Sequence, residues 1–287
     1  MSSTQHMTRR QAVTAAGAVS ATYLAGPAVL RALGGTAIAA TDCAKLTPEL
    51  TEGPYWVNTM LHRSDLRSNS HGGAHQAGVP LALTINVVDS SNGCKPLNGV
   101  AVDVWHANAH GLYSDESSQQ AGGGTSGGDT LKDNWLRGYQ ITGGDRGIKS
   151  NPVRGQVSFR TIWPGWYTSR AIHIHVRVRK LSHTGATIAG YTTQIFFSYA
   201  DNDHVLTGAA PYNTRSPQKD PTTDKTDTVL TSADYATNVV KVEGSIKRGY
   251  AATFNIALDH AEGTAKGSLG RPNTGSSGGP GGPPPTA

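Results

Sequence analysis

Residues Ala171 to Val178 alternate strictly: Ile172, Ile174, Val176 and Val178 are apolar, while His173, His175, Arg177 and Arg179 between and after them are polar. A period of two is the pattern of a β-strand with one face turned to a core, and it is incompatible with an amphipathic helix. Similar alternating or apolar runs occur at Leu81 to Val88, Val100 to His106, Gly138 to Thr142, Gln156 to Trp163, Thr192 to Phe197 and Tyr250 to Leu258. Clusters of Gly, Pro, Asn and Asp separate them, which places turns between strands. The spacing predicts an all-β protein, an antiparallel β-sandwich with long functional loops. Apart from the leader, no stretch reads as a long helix.

The same alternation puts His173 and His175 on one face, with backbones roughly 6 to 7 Å apart. Two imidazoles so placed can converge on one metal ion, or they can belong to a merely solvated polar face. Nearby tyrosines add to the first reading. Tyr113 lies in WHANAHGLYSD and Tyr167 in TIWPGWYTSR. A free phenol ionises near pH ~10, so a tyrosine binds as phenolate only where a strongly charged cation draws its proton off. Two phenolates and a hydroxide neutralise Fe(III), whereas they over-neutralise a divalent ion. No Asp or Glu stands beside the HxH pair to complete the two-histidine, one-carboxylate triad of Fe(II) oxygenases.

Six segments, TPELTEGPYW (47 to 56), GVAVDVWHANAHGLYSD (99 to 115), NWLRGYQITGGDRG (134 to 147), GQVSFRTIWPGWY (155 to 167), SRAIHIHVRV (169 to 178) and TTQIFF (192 to 197), together resemble the intradiol ring-cleavage dioxygenases. They stand in that family's order and span most of the middle of the chain. The resemblance implies that Tyr113, Tyr167, His173 and His175 ligate a non-heme Fe(III). It implies catalytic roles for Tyr167 as a base, Arg170 as a charge stabiliser and Gln194 as an orienting amide. Tyr55 and Trp166 are candidates to line the substrate site by position only. The implied substrates are a catecholic aromatic compound and O2, with ring opening between the hydroxyl-bearing carbons to a muconate-type product. Only five residues separate Tyr167 from His173, a shorter connection than in the catechol and protocatechuate enzymes, so an open pocket is expected. The N-terminal helical dimerisation region of the catechol enzymes is also expected to be missing.

Domain organisation follows from composition. Thr8, Arg9 and Arg10 precede an apolar run from Ala12 to Leu30 and a small-residue stretch ending at Ala40, which reads as a twin-arginine-type export signal over 1–40. A secreted protein with no stable membrane association after signal removal is expected. An uncleaved anchor is the alternative. Residues 41–262 form the catalytic domain, and 263–287, rich in Gly, Pro and Ser, a disordered tail. Cys43 and Cys94 lie beyond the signal, and an even count in an exported chain favours a disulfide over two free thiols.

Loss of Arg9, Arg10 and Arg31 with the signal takes the formal charge from +5 to +2, too little for a nucleic-acid binder. AGGGTSGG at 121–128 lacks the lysine of a phosphate-binding loop and reads as a mobile loop near Tyr113. Among the other histidines, His106 falls on the apolar side of its strand and reads as a core residue. His71 and His75 offer weak grounds for a second metal, and His62 and His110 none. The competing functional class is a secreted β-sandwich binding module, for carbohydrate or copper, that keeps the fold without ring cleavage.

Overall fold

The computed structural model describes residues 43, 45–116, 119–120, 126–127, 130–143, 153–214, 222–231 and 235–259. The expected export signal, the expected C-terminal tail and all but Ser126 and Gly127 of the glycine-rich stretch lie outside these residues. The strands are β1 (Pro80–Asp89), β2 (Lys95–Pro96), β3 (Ala101–Trp105), β4 (Gln119–Gln120), β5 (Ser126–Gly127), β6 (Arg137–Ile141), β7 (Gln156–Ile162), β8 (His173–Leu181), β9 (Thr187–Phe197), β10 (Val239–Val240), β11 (Val242–Ser245) and β12 (Gly249–Leu258). Every strand expected from alternation is present, with ends shifted by a few residues.

Two five-stranded sheets form the sandwich. One runs β10-β9-β8-β3-β6; the other runs β11-β12-β1, with β7 and β2 sharing the far edge of β1. β4 and β5 pair as a separate two-stranded ribbon. Alternate residues of the inner strands, including Leu83 and Ile85 of β1, Ile174 and Val176 of β8 and Phe254 and Ile256 of β12, meet in one core. Each such side chain, fully withdrawn from water, contributes roughly 1.5–3 kcal/mol.

The architecture is all-β as expected, but the sheets are mixed rather than purely antiparallel. β1 pairs with β12 in parallel over nine residues, Leu81 opposite Tyr250 through Asp89 opposite Leu258, and β10 pairs with β9 in parallel. A parallel pair needs a long crossover, and the whole sandwich between β1 and β12 supplies it. The second departure is helix α1 (Tyr199–Gly208), ten residues long and capped by Ser198, whose hydroxyl accepts from the Asp201 amide. Short helices α2 (Thr228–Thr231) and α3 (Tyr235–Asn238) follow. Among the described residues no helix is long and apolar enough to cross a membrane.

What positions the site is the segment before β1. The Leu50 amide donates to Thr192 of β9, and farther on the Arg63 amide donates to Tyr139 of β6, which itself donates to Leu61. Residues 51–60 therefore cross the outer face of the β9-β8-β3-β6 sheet from one edge to the other. Under this strap the polar face of β8 is not solvated: His173, His175, Arg177 and Arg179 are 2%, 1%, 6% and 1% exposed. Buried charge demands partners. Arg177 pairs with Glu52 of the strap, and Arg179 grips Asp103 of β3 through two bonds of 2.6 and 2.8 Å. Trp56 lies against both guanidinium groups, 4.9 and 5.7 Å from its ring centre. Cys43 and Cys94 are joined by a disulfide that ties the chain ahead of the strap to the turn after β1.

Candidate metal centre

Strand register makes the first contacts. His175 sits between Trp105 of β3 and Gln194 of β9 in the cross-strand row, and its ring stacks on Trp105 at 4.7 Å between centroids, 6° from parallel. From the strap, Gly53 adopts φ +71° directly over the imidazole. A Cβ there would come within 3.3 Å of His175 Cε1, so the position calls for glycine both for its backbone and for the space.

The two tyrosines arrive on loops. Tyr113 follows β3 in a turn organised by Asn108, whose carboxamide oxygen accepts from the amides of His110 and Leu112. Its carbonyl is held by the Thr130 hydroxyl at 2.9 Å. Tyr167 follows β7, and the two loops touch at Gly165, whose amide donates to Asn108. Any side chain at Gly165 would collide with the Ala109 carbonyl, 2.3 Å from the position of a Cβ. Ser169, at φ +66°, then turns the chain so that Arg170 faces back across Tyr167.

These segments bring the polar atoms of four side chains together. Tyr167 Oη lies 3.1 Å from His173 Nε2, which lies 3.1 Å from His175 Nε2. The Tyr113 and Tyr167 rings meet edge-on at 5.8 Å between centroids, and their interaction favours ionisation of Tyr167 and opposes that of Tyr113. Tyr113, His173 and His175 are buried, whereas Tyr167 and Arg170 are partly exposed and form the side of the cluster that meets solvent. Tyr55 stacks on Tyr113 at 4.3 Å and meets Tyr167 edge-on at 6.1 Å, so it flanks the cluster. Trp166 is 1% exposed and belongs to the main core.

Burial dominates the electrostatics. It holds both imidazoles well below their ordinary pKa, with the Arg170 charge acting in the same direction. It raises Tyr113 well above the usual phenol value and Tyr167 to about 12, while Arg170 pulls both down. The protein alone thus holds two neutral imidazoles and two neutral phenols. His173 Nδ1 donates to the Ala171 carbonyl at 2.6 Å, which leaves its Nε2 lone pair facing His175 and Tyr167. Fixing the tautomer from behind in this way is how proteins orient an imidazole toward a metal. His175 Nδ1 is buried with no hydrogen-bond partner among the described residues. Imidazole nitrogens turned inward and phenols that need a cation to ionise are a donor set suited to a hard, highly charged ion.

Arg170 is braced on two sides. Its Nε donates to Asp227 at 2.9 Å and its Nη2 to Gln194 Oε1 at 2.5 Å, while Gln194 Nε2 donates to the Thr51 carbonyl at 2.7 Å. Arg137, also buried, donates to the carbonyls of Tyr55 and Ser114 and so links the strap to the Tyr113 loop. Sequence reasoning did not single out Asp227, Arg137, Glu52 or Trp56. Arg137, Glu52 and Trp56 stand inside recognised segments, but nothing in the local pattern around Asp227 distinguishes it from a surface acid.

His106 is 1% exposed, with Nδ1 on the Ala107 carbonyl and Nε2 on Thr161 Oγ1, the satisfied core residue expected. His71 and His75 are exposed, and among the described residues no group of three or more His, Cys, Asp or Glu side chains gathers anywhere.

The mixed β-sandwich carries a buried pair of imidazoles beside a pair of phenols, a donor set that could hold a metal ion. A dioxygenase family model matches residues 51–259. The chain is similar to the solved structure of an intradiol ring-cleavage dioxygenase from Tetranychus urticae, at 26% identity and TM-score 0.57, covering 74% of this chain and 94% of that one. It is also similar to the dioxygenase domain of a dioxygenase carbohydrate-binding protein fusion from Streptomyces sp. SirexAA-E, at 27% identity and TM-score 0.44, covering 75% and 99%. With catechol 1,2-dioxygenase from Acinetobacter sp. ADP1 it shares 23% identity at TM-score 0.43, covering 81% and 66%. No curated protein matches it significantly. The chain belongs to the intradiol ring-cleavage dioxygenase family.

Proposed function

We propose that the protein is an exported non-heme Fe(III) intradiol dioxygenase that opens catecholic rings with O2 between the two hydroxyl-bearing carbons. The observation that carries this reading is the convergence of four side chains: Tyr167, His173 and His175 lie within hydrogen-bonding distance in a row, and the Tyr113 ring packs against Tyr167 and His175 at 5.8 and 6.1 Å between centroids. These four residues would hold the metal. Ferric iron held there would supply the Lewis acidity that keeps the two phenols ionised and activates a catecholic substrate toward dioxygen.

The residues divide the remaining work according to their exposure. Tyr113, His173 and His175 are locked by packing and serve as fixed donors. Tyr167 lies on the solvent side, and its Oη, ionised when the metal is held, would take a proton from the incoming catechol hydroxyl. The neighbouring Arg170 charge steadies the substrate oxygen as negative charge gathers on it, in a partly dehydrated setting where such a charge counts most. Gln194 fixes one edge of that guanidinium and offers its amide beside His175. Tyr55 forms the wall against which the ring rests, and Trp166 supports the Tyr167 turn from the core.

The test is direct. Iron-loaded wild-type protein should be burgundy from tyrosinate-to-iron charge transfer and should consume O2 with at least one of catechol, protocatechuate, hydroxyquinol or caffeate. Tyr167→Phe should shift the colour and lower turnover together. Full oxygen uptake in Tyr167→Phe would remove the tyrosine from its assigned role, and a colourless iron-loaded wild type would remove the metal assignment.

A further inference from the structure

Asp227 has a side chain with no solvent exposure, although a buried carboxylate costs several kcal/mol unless donors surround it. Four donors do. Oδ1 accepts from the amides of Val229 and Leu230, at 2.8 and 3.0 Å, and so caps helix α2. Serine or asparagine would cap that helix as well. The other oxygen does something a cap does not require. Oδ2 accepts from Arg170 Nε at 2.9 Å and from the Ala171 amide at 2.8 Å, both more than 50 residues away in sequence.

These two bonds reach the site from behind. Ala171 offers its amide to Asp227 and its carbonyl to His173 Nδ1, so one peptide links the carboxylate to the first imidazole. The guanidinium of Arg170 is gripped along two edges, Nε by Asp227 and Nη2 by Gln194, which fixes its plane. Nη1 has no partner among the described residues, and the side chain is 14% exposed. The charge so held acts on Tyr113, Tyr167, His173 and His175 alike.

We propose that Asp227 is a positioning residue of the active site, holding the Arg170 guanidinium in the one plane that presents Nη1 to an anionic substrate oxygen, and that its effect on turnover runs through Arg170 rather than through the Ala171–His173 link. The proposal rests on Arg170 facing the substrate, as in the proposed function.

The test uses full-length, iron-loaded protein carrying Asp227→Asn or Asp227→Ser, both of which keep the helix cap, each alone and combined with Arg170→Gln. In the wild-type background either substitution should lower kcat/KM by about 10- to 100-fold, mostly in kcat, as expected when a catalytic charge is misplaced by about 1 Å. In the Arg170→Gln background the same substitution should change kcat/KM by less than about twofold, because effects that share one route do not add. Equal losses in both backgrounds would show that Asp227 acts through the fold and would overturn the proposal.

A second arm does not depend on activity. In full-length protein loaded with diamagnetic Ga(III), the Arg170 side-chain Nε–H should give a downfield, slowly exchanging 15N-correlated signal that Asp227→Asn abolishes. A wild-type Nε–H that exchanges like a free arginine would overturn the proposal as well. Wild-type protein inactive on every catechol would refute the proposed activity, and the NMR result would still decide the Asp227–Arg170 geometry separately.

Discussion

Replacing His106 with glutamine should flatten the acid limb of the protein's stability curve. His106 joins the two sheets: its ring, 1% exposed at the end of β3, accepts the Thr161 hydroxyl of β7 at Nε2 and donates from Nδ1 to the Ala107 carbonyl. Only the neutral ring can accept at Nε2. Burial above all, with the Arg137 charge assisting against the pull of the Ala107 carbonyl, depresses its pKa to about 4. In the unfolded chain the value returns to ~6.5. Below that pH the unfolded state binds a proton that the folded state refuses, so this residue's contribution is whole above pH ~6.5 and is lost as pH falls toward ~4, at about 1.4 kcal/mol per unit. Over that window the loss approaches about 3 kcal/mol.

Urea unfolding of the wild type and His106→Gln, from about pH 7.5 down to about pH 4.5, isolates the effect because carboxylate and metal-site titrations are shared by both proteins. The wild type should forfeit about 2 to 3 kcal/mol more than the variant across that range. Parallel curves would mean that the folded protein accepts the proton and that the inter-sheet contact does not need a neutral ring.

Gly53→Ala should cost about 1–2 kcal/mol for the left-handed backbone alone, and the new Cβ should press on His175; an unchanged melting temperature and an unchanged visible spectrum would contradict that contact. Arg179→Met strands the Asp103 carboxylate under the strap and should destabilise by about 3–5 kcal/mol in urea, with most of the loss recovered when Asp103→Leu is added. Cys43→Ser with Cys94→Ser removes a crosslink spanning 51 residues and should lower the unfolding free energy by up to about 4 kcal/mol. No change in stability would show that the strap's other anchors suffice.

The strands were legible because each has an apolar face that must be buried, and that requirement is written locally, as in Ile172 to Val178. The HxH pair shared a face for the same reason, and strand geometry forced it. What lay hidden depends on contacts distant in sequence. No local pattern shows that β1 lies parallel to β12, and none shows that the polar face of β8 is roofed by residues 51–60, since a strap has no period. Helix α1 carried a usable sign in Ser198 and Asp201, the capping pair at its start, but its faces are too evenly mixed for a helical period to stand out. Asp227 was invisible because its meaning comes from Arg170, which reaches it only after folding.

The pairing of β1 with the last strand has a bearing on synthesis. β1 is the middle of its sheet, flanked by β7 on one edge and β12 on the other, yet residues 249–258 leave the ribosome long after residues 80–89. Until they emerge, a long apolar strand offers an open edge to any passing chain. A nascent copy therefore has every proposed iron-binding residue translated well before it can close the layer that backs them, and chaperone occupancy during translation should concentrate on that interval.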